Sequence, residues 1–116
     1  MRHAKTVKKF GREKGQRRAF MKGLANHLIS HEKIVTTEAR AKALRGFVER
    51  MITHAKKQNV TSLRLIMRAL PKVNAYKLYH EIAPRYADRK GGYTRVIKMA
   101  KPRKHDASAM ATIEFV

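Results

Sequence analysis

Between Thr37 and Lys57 apolar residues recur at helical spacing without a break. Ala41, Leu44, Val48, Met51, Ile52 and Ala55 share one stripe at about 100° per residue, with Glu38, Lys42, Gly46, Glu49, Arg50 and Thr53 opposite. Thr37 is placed to cap this helix, Glu38 suits the positive end of its dipole, and Lys56 and Lys57 suit the negative end. Just before it, Lys33–Thr37 is short and β-branched, which is how a buried strand reads. Upstream, Gln16 to His31 carries a helical period through Phe20, Leu24, Ala25 and Leu28. Downstream, Val60 to Leu70 predicts a short helix through Leu63, Ile66, Met67 and Leu70, closed by Pro71. Asn74 can cap another through Ala75, Leu78, Tyr79 and Ile82, ending near Pro84.

The period then changes. Tyr93–Met99 and Ala109–Val116 alternate as strands do, and the two are expected to pair as a hairpin. The connecting loop, Ala100 to Ser108, is too long and too charged for a tight turn and reads as a finger reaching a partner. The order is therefore α-β-α-α-α-β-β. It predicts an α/β (α+β) domain of two layers, about four helices on a small three-stranded sheet.

At 116 residues the chain is the size of one domain. Charge changes the picture more than length does. Against 28 Lys and Arg stand 8 Asp and Glu, a net +20, and a folded chain this basic repels itself unless a polyanion neutralises it. Residues 1–18 hold eight of these cations with Val7 and Phe10 as the only large apolar residues after Met1. They read as a basic N-terminal arm ordered by a polyanion, and 19–116 as a single compact domain. Cysteine is absent, which excludes disulfides, thiolate zinc sites and cysteine nucleophiles. No run approaches the roughly 20 apolar residues of a membrane span, and lysines interrupt any signal-like segment. A soluble protein with no membrane partner is expected.

Three basic patches are the candidate site. The first is Arg2, His3, Lys5, Lys8, Lys9, Arg12, Arg17, Arg18 and Lys22, along the arm and first helix. The second is Arg85, Arg89, Lys90, Gly91, Gly92, Tyr93, Arg95 and Lys98, on a loop running into a strand. The third is Lys101, Arg103 and Lys104, at the hairpin tip. Separate cationic pieces of this kind grip phosphates of a folded nucleic acid at several points. In the second patch the paired glycines free the backbone, and Tyr93 either offers a stacking surface or packs in the core.

Catalytic and metal readings find less. His27 and His31 are four apart, yet only Glu32 stands nearby as a further ligand. A basic ribonuclease could use His27, His31, His54, His80 or His105, but their spacing gathers no pair around a pocket. A nucleoid-type DNA-binding protein would share the charge without showing a recognition-helix context. No cofactor motif, no small-molecule site and no enzyme are expected.

Several segments, taken together and in order, resemble bacterial large-subunit ribosomal protein seventeen. They are Met1-Arg2-His3; His31-Glu32 with Ile34 and Thr36-Thr37; Ala41-Lys42 with Leu44-Arg45; Gly91-Gly92-Tyr93-Thr94-Arg95; and Asp106 through Ile113-Glu114. The resemblance spans almost the whole chain, with the middle, Asn59 to Ala83, similar mainly in pattern. It implies helices packed on a small mixed sheet and a structural, non-catalytic role in the cytoplasmic ribosome. The implied partners are large-subunit ribosomal RNA near the peptide exit side and neighbouring large-subunit ribosomal proteins. It also implies that Arg2, His3, Tyr93 and Arg95 touch RNA.

Overall fold

The computed structural model describes His3 and residues 8–116. Helix α1, Lys14–His31, opens on a capping box in which the side chains of Glu13 and Gln16 exchange hydrogen bonds with each other's backbone. It starts early enough that the last five residues of the expected arm, Lys14 to Arg18, are helical. Glu32 ends it in the left-handed region, φ 61°, and its N–H returns to the Leu28 carbonyl at 2.6 Å. That turn throws the chain directly into strand β1, Lys33–Thr37.

Thr37 is both the last residue of β1 and the N-cap of helix α2, Glu38–Ala55, its hydroxyl accepting from the Arg40 N–H at 3.4 Å. The buried residues of α2 are Ala41, Leu44, Val48, Met51, Ile52 and Ala55, the stripe read from the sequence. Helix α3, Val60–Met67, is capped by Asn59, which accepts from the Ser62 N–H at 2.8 Å. Its buried line is Ser62, Ile66 and Leu70. Met67, expected inside, is 37% exposed and Leu63 only half-buried, because the small polar Ser62 sits where periodicity alone would place a larger apolar residue.

Helix α4, Lys72–Lys77, has Pro71 at its N-cap rather than Asn74. Proline has no N–H to leave unpaired and its fixed φ suits a helix start. Asn74 instead lies inside the helix and its amide donates to the Asn26 carbonyl at 3.3 Å, tying α4 to α1. The helical path then widens into a π turn, Leu78–Ile82, and tightens into a 3₁₀ turn, Ala83–Tyr86. It therefore runs past Pro84, which occupies the first turn of the 3₁₀ segment, where a missing N–H costs nothing.

Strands β2, Thr94–Lys98, and β3, Met110–Phe115, form the expected hairpin, and β3 also pairs with β1, giving the sheet order β1-β3-β2. Both pairings are antiparallel, so the sheet is not mixed. A connection long enough to make two strands parallel exists only between β1 and β2, and β3 lies between them. One face of the sheet carries Ile34, Thr36, Ala111, Ile113, Thr94 and Val96 toward the helices. The core joins Ile113 to Leu28 and Ile29 of α1, Leu44, Val48 and Ile52 of α2, Ile66 of α3, and Leu78 and Ile82 of the π turn.

Because Leu44 is fully buried at the centre of this contact, Leu44→Ala is expected to lower the free energy of unfolding by about 2–5 kcal/mol. Urea titration followed by far-ultraviolet circular dichroism measures it; a loss under about 1 kcal/mol would show that the core does not turn on α2.

Candidate nucleic-acid interface

At the N-terminal end the chain turns tightly before α1, with Phe10 and Gly11 both left-handed, at φ 55° and 63°. The Phe10 ring meets Phe20 of α1 at 5.5 Å, and the Arg12 guanidinium lies over the other partner's ring, 3.9 Å from the Phe20 centroid. Arg12 also donates to the Phe10 carbonyl at 2.8 Å, and Arg17 to the Arg12 carbonyl at 3.2 Å. Arg12 and Arg17 thus fix the turn. Lys22 donates to the Arg68 carbonyl at 3.2 Å, tying α1 to the end of α3. His3, Lys8, Lys9 and Arg18 are exposed. Arg2 and Lys5 lie outside the described residues.

The hairpin loop is built around one carboxylate. Arg103 presents its guanidinium to Asp106, with Nε 3.1 Å from Oδ1, while Asp106 accepts the Ser108 N–H at 3.2 Å. The Arg103 backbone bonds to Ser108 and Ala107 at 3.0 Å, closing the finger on itself. These donors hold the Asp106 carboxyl far below its usual range, the Arg103 hydrogen bonds first among them. Arg103 therefore shapes the loop, and Lys101 and Lys104 stay exposed without an ion pair among the described residues. The base of the finger meets α2, where the Glu38 N–H donates to the Ala109 carbonyl at 2.9 Å. Lys8 lines the same hollow as Glu38, Lys42 and Ser108. The first and third patches converge there, around the start of α2.

The second patch is divided. Lys98, at the near end of β2, lies 3.6 Å from Glu38 and so faces the first and third patches. Arg85, Arg89 and Lys90 are at the opposite end of the sheet. Arg85 pairs with Glu32, which also has Lys77 at 3.7 Å. The Arg85 hydrogen bond pulls the Glu32 carboxyl below its ordinary 4.5, and the same bond raises the already basic guanidinium. Arg95 lies 3.4 Å from Glu114, which also has Lys33 at 3.7 Å. Arg89 donates from Nε to the Gly91 carbonyl at 3.2 Å, and Gly92 takes φ 63°, the conformation for which glycine suits this turn.

Tyr93 is in the core, not on the surface. It is 3% exposed, its ring 5.3 Å from Tyr86, its hydroxyl accepting from Lys56 Nζ at 2.9 Å and donating to the Arg89 carbonyl at 3.2 Å. No face is left for a base, so of the two readings of Tyr93 the packed one is present. Its neighbours Lys56, Tyr86 and Glu49 were not read as site residues. Lys56 ties the loop to α2 through the Arg89 carbonyl as well. Glu49 accepts from the Thr94 N–H and hydroxyl at 3.2 and 3.1 Å. Tyr86 donates to the Val116 carbonyl at 2.8 Å, and burial raises its phenol above the usual range. All three connections join residues more than thirty positions apart or reach the chain end, so no local pattern signals them.

His27 and His31 stack ring on ring at 6.3 Å, and no cluster of three or more metal-ligating side chains forms among the described residues. Among those residues no helix is long and apolar enough to cross a membrane.

A family model described as "Ribosomal protein L17" matches residues 20–116. The chain is 44% identical to the large ribosomal subunit protein bL17 of Thermus thermophilus over 117 aligned positions, covering all of this chain and 99% of that protein. It is 49% identical to the protein of the same name in Persephonella marina, covering all of this chain and 95% of the relative. The Fusobacterium nucleatum protein of that name is 46% identical, with both chains covered completely.

The Glu32 pairing predicts an acid dependence. A carboxyl whose folded pKa is depressed adds stability that is fully present above its ordinary 4.5 and lost as pH falls through the folded value. With both partners well exposed, at 45% and 39% of the side chain, the contribution is at most about 1 kcal/mol. Urea unfolding at pH 6 and pH 3 is expected to show the wild type losing more stability than Glu32→Gln; equal losses would mean the pair does not stabilise the fold.

Proposed function

From the premise that the chain belongs to the ribosomal protein L17 family, a structural and non-enzymatic component of the ribosome, we propose that it binds and stabilises folded large-subunit rRNA. The observation that carries this is the convergence of the N-terminal turn, the hairpin finger and Lys98 around the start of α2. Lys8 lines the hollow there with Lys9 next to it in sequence, Lys101 and Lys104 flank Arg103 in the finger, and these four and Arg18 are exposed and without an ion pair among the described residues. Each cation placed on a phosphate releases condensed counterions, and several at once let RNA segments that repel one another lie close. Arg2, His3 and Lys5 extend the patch in sequence. Arg85, Arg89 and Lys90 form a second contact at the far end of the sheet, so one protein of 44 Å length bridges two RNA segments. The cytoplasmic position near the peptide exit side is what the family resemblance implies, and the relatives' names agree with large-subunit placement.

A different surface serves neighbouring ribosomal proteins. On the outer face of the sheet Val35, Thr112 and Ile97 form one cross-strand row, with Val35 55% and Ile97 48% exposed. In the adjoining row Lys33 and Arg95 share Glu114, which locally offsets their charge. An apolar row beside paired charges suits a protein neighbour better than a phosphate backbone.

Sucrose-gradient fractionation of a lysate, with fractions washed in rising salt, tests the assignment. The protein is expected to stay in the large-subunit peak through a high-salt wash, and recovery with nucleoid or free fractions would overturn the proposal. Deleting residues 1–9 is expected to lower the salt at which it is released while circular dichroism stays native, since Phe10 and Arg12 remain to close the turn on α1.

A further inference from the structure

A groove of about 540 Å³ opens between the start of α1 and the flank of α2, a size typical of small-ligand sites, about 300–1,000 Å³. Its floor is apolar, formed by Phe10, Met21, Ala43 and Phe47. Its rim is cationic, formed by Lys8, Arg17, Arg18 and Arg50. No carboxylate lines it among the described residues, and Glu38, at the start of α2, is held by Lys42 at 2.7 Å and Lys98 at 3.6 Å.

The two aromatic rings that line the groove differ in availability. Phe10 packs on Phe20 at 5.5 Å, and Phe20 is itself covered by Arg12 at 3.9 Å and Arg40 at 5.0 Å. Phe47, half-buried one turn beyond Ala43, has neither an aromatic nor a cationic partner among the described residues. An apolar, aromatic floor inside a ring of guanidinium and ammonium groups matches a nucleotide: a flat base to cover and phosphates on either side. Paired RNA cannot fill it, because its bases are enclosed in the helix and only the backbone reaches the rim.

We propose that this groove takes one unstacked base of a single-stranded RNA segment, the base against Phe47 and Met21 and the flanking phosphates on Arg17, Arg18 and Arg50. The proposal rests on the rRNA-binding reading and deepens it: at this point the protein meets a base, whereas the hairpin finger and Lys98 meet backbone.

Fluorescence anisotropy with the full chain tests it, using labelled r(A)8 and an eight-base-pair RNA duplex at one salt concentration. Phe47→Leu keeps an apolar side chain and removes the stacking ring, so it is expected to weaken r(A)8 binding about fivefold or more and duplex binding less than about twofold. Phe47→Tyr is expected to restore the single-strand affinity. Equal effects of Phe47→Leu on the two probes, or no effect on either, with native circular dichroism, would overturn the groove proposal alone. If Phe47→Leu does not fold, the exposed Arg50→Gln replaces it, and a loss confined to r(A)8 is again required. An acidic peptide that displaces r(A)8 but not the duplex would assign the groove to a protein segment and overturn it too. Failure of the wild type to bind either RNA would instead remove the rRNA reading on which the groove depends.

Discussion

The burial of one stripe of α2 is the contact on which the rest of the molecule depends. Leu44, Val48 and Ile52 are wholly withdrawn from water, and α1, α3, the π turn and all three strands pack onto that helix. Each such side chain contributes about 1.5–3 kcal/mol when fully buried, so a stripe of six apolar residues outweighs any single ion pair on the surface. The helix also sets geometry. Its first N–H groups donate to the Thr37 hydroxyl and the Ala109 carbonyl, fixing the strand that precedes it and the base of the hairpin finger. Its last turn supplies the neighbourhood of Lys56, which fastens the 85–93 loop. Both proposed RNA contacts are thus positioned from the two ends of one rigid rod.

Charge is the second constraint, and it explains where the carboxylates stand. With only 8 acidic residues against 28 basic ones, most cations among the described residues form no ion pair. The acids that do form ion pairs sit at junctions: Glu32 between α1 and the 78–86 turns, Glu38 between α2 and β2, Glu114 across the sheet, Asp106 within the finger. Three of the four each hold two cations from different segments. Exposed pairs of this kind add little stability one by one. Their effect is to bring cations to set positions, and the unpaired cations beyond them are left to an external polyanion.

Local chemistry was readable where local forces decide. The stripe of α2, the bounds of β1, the Thr37 cap and the β2-β3 hairpin all follow from periodicity and capping, and they are present as read. Asn74 failed as a cap because Pro71, three residues earlier, starts the helix first and an asparagine in α1 claims the amide. Tyr93 was ambiguous for a physical reason: a tyrosine after two glycines has the same local pattern whether it faces solvent or turns inward. What turns it inward are Lys56 and Tyr86, distant in sequence and gathered only by the fold. The strand directions were likewise settled by β3 lying between β1 and β2, a matter of topology and not of pattern. In the candidate site, charge named the patches, but which arginines shape loops and which stay exposed could not be read without the partners Phe20, Asp106 and Gly91.

The same charge gives salt two opposite effects. In the free protein the net +20 acts as self-repulsion, and added salt screens it, favouring the compact state. On RNA the same cations draw their affinity from counterion release, and added salt removes that gain. A chain tuned for stability alone would balance its charges; this one keeps them unbalanced and relies on an apolar core that salt barely touches. The core stands apart from the cations by construction, since the helices' buried stripes face the sheet and no Lys or Arg is buried among the described residues. The fold therefore persists under conditions that loosen the RNA contact, and the RNA contact relieves the strain that the fold carries when alone.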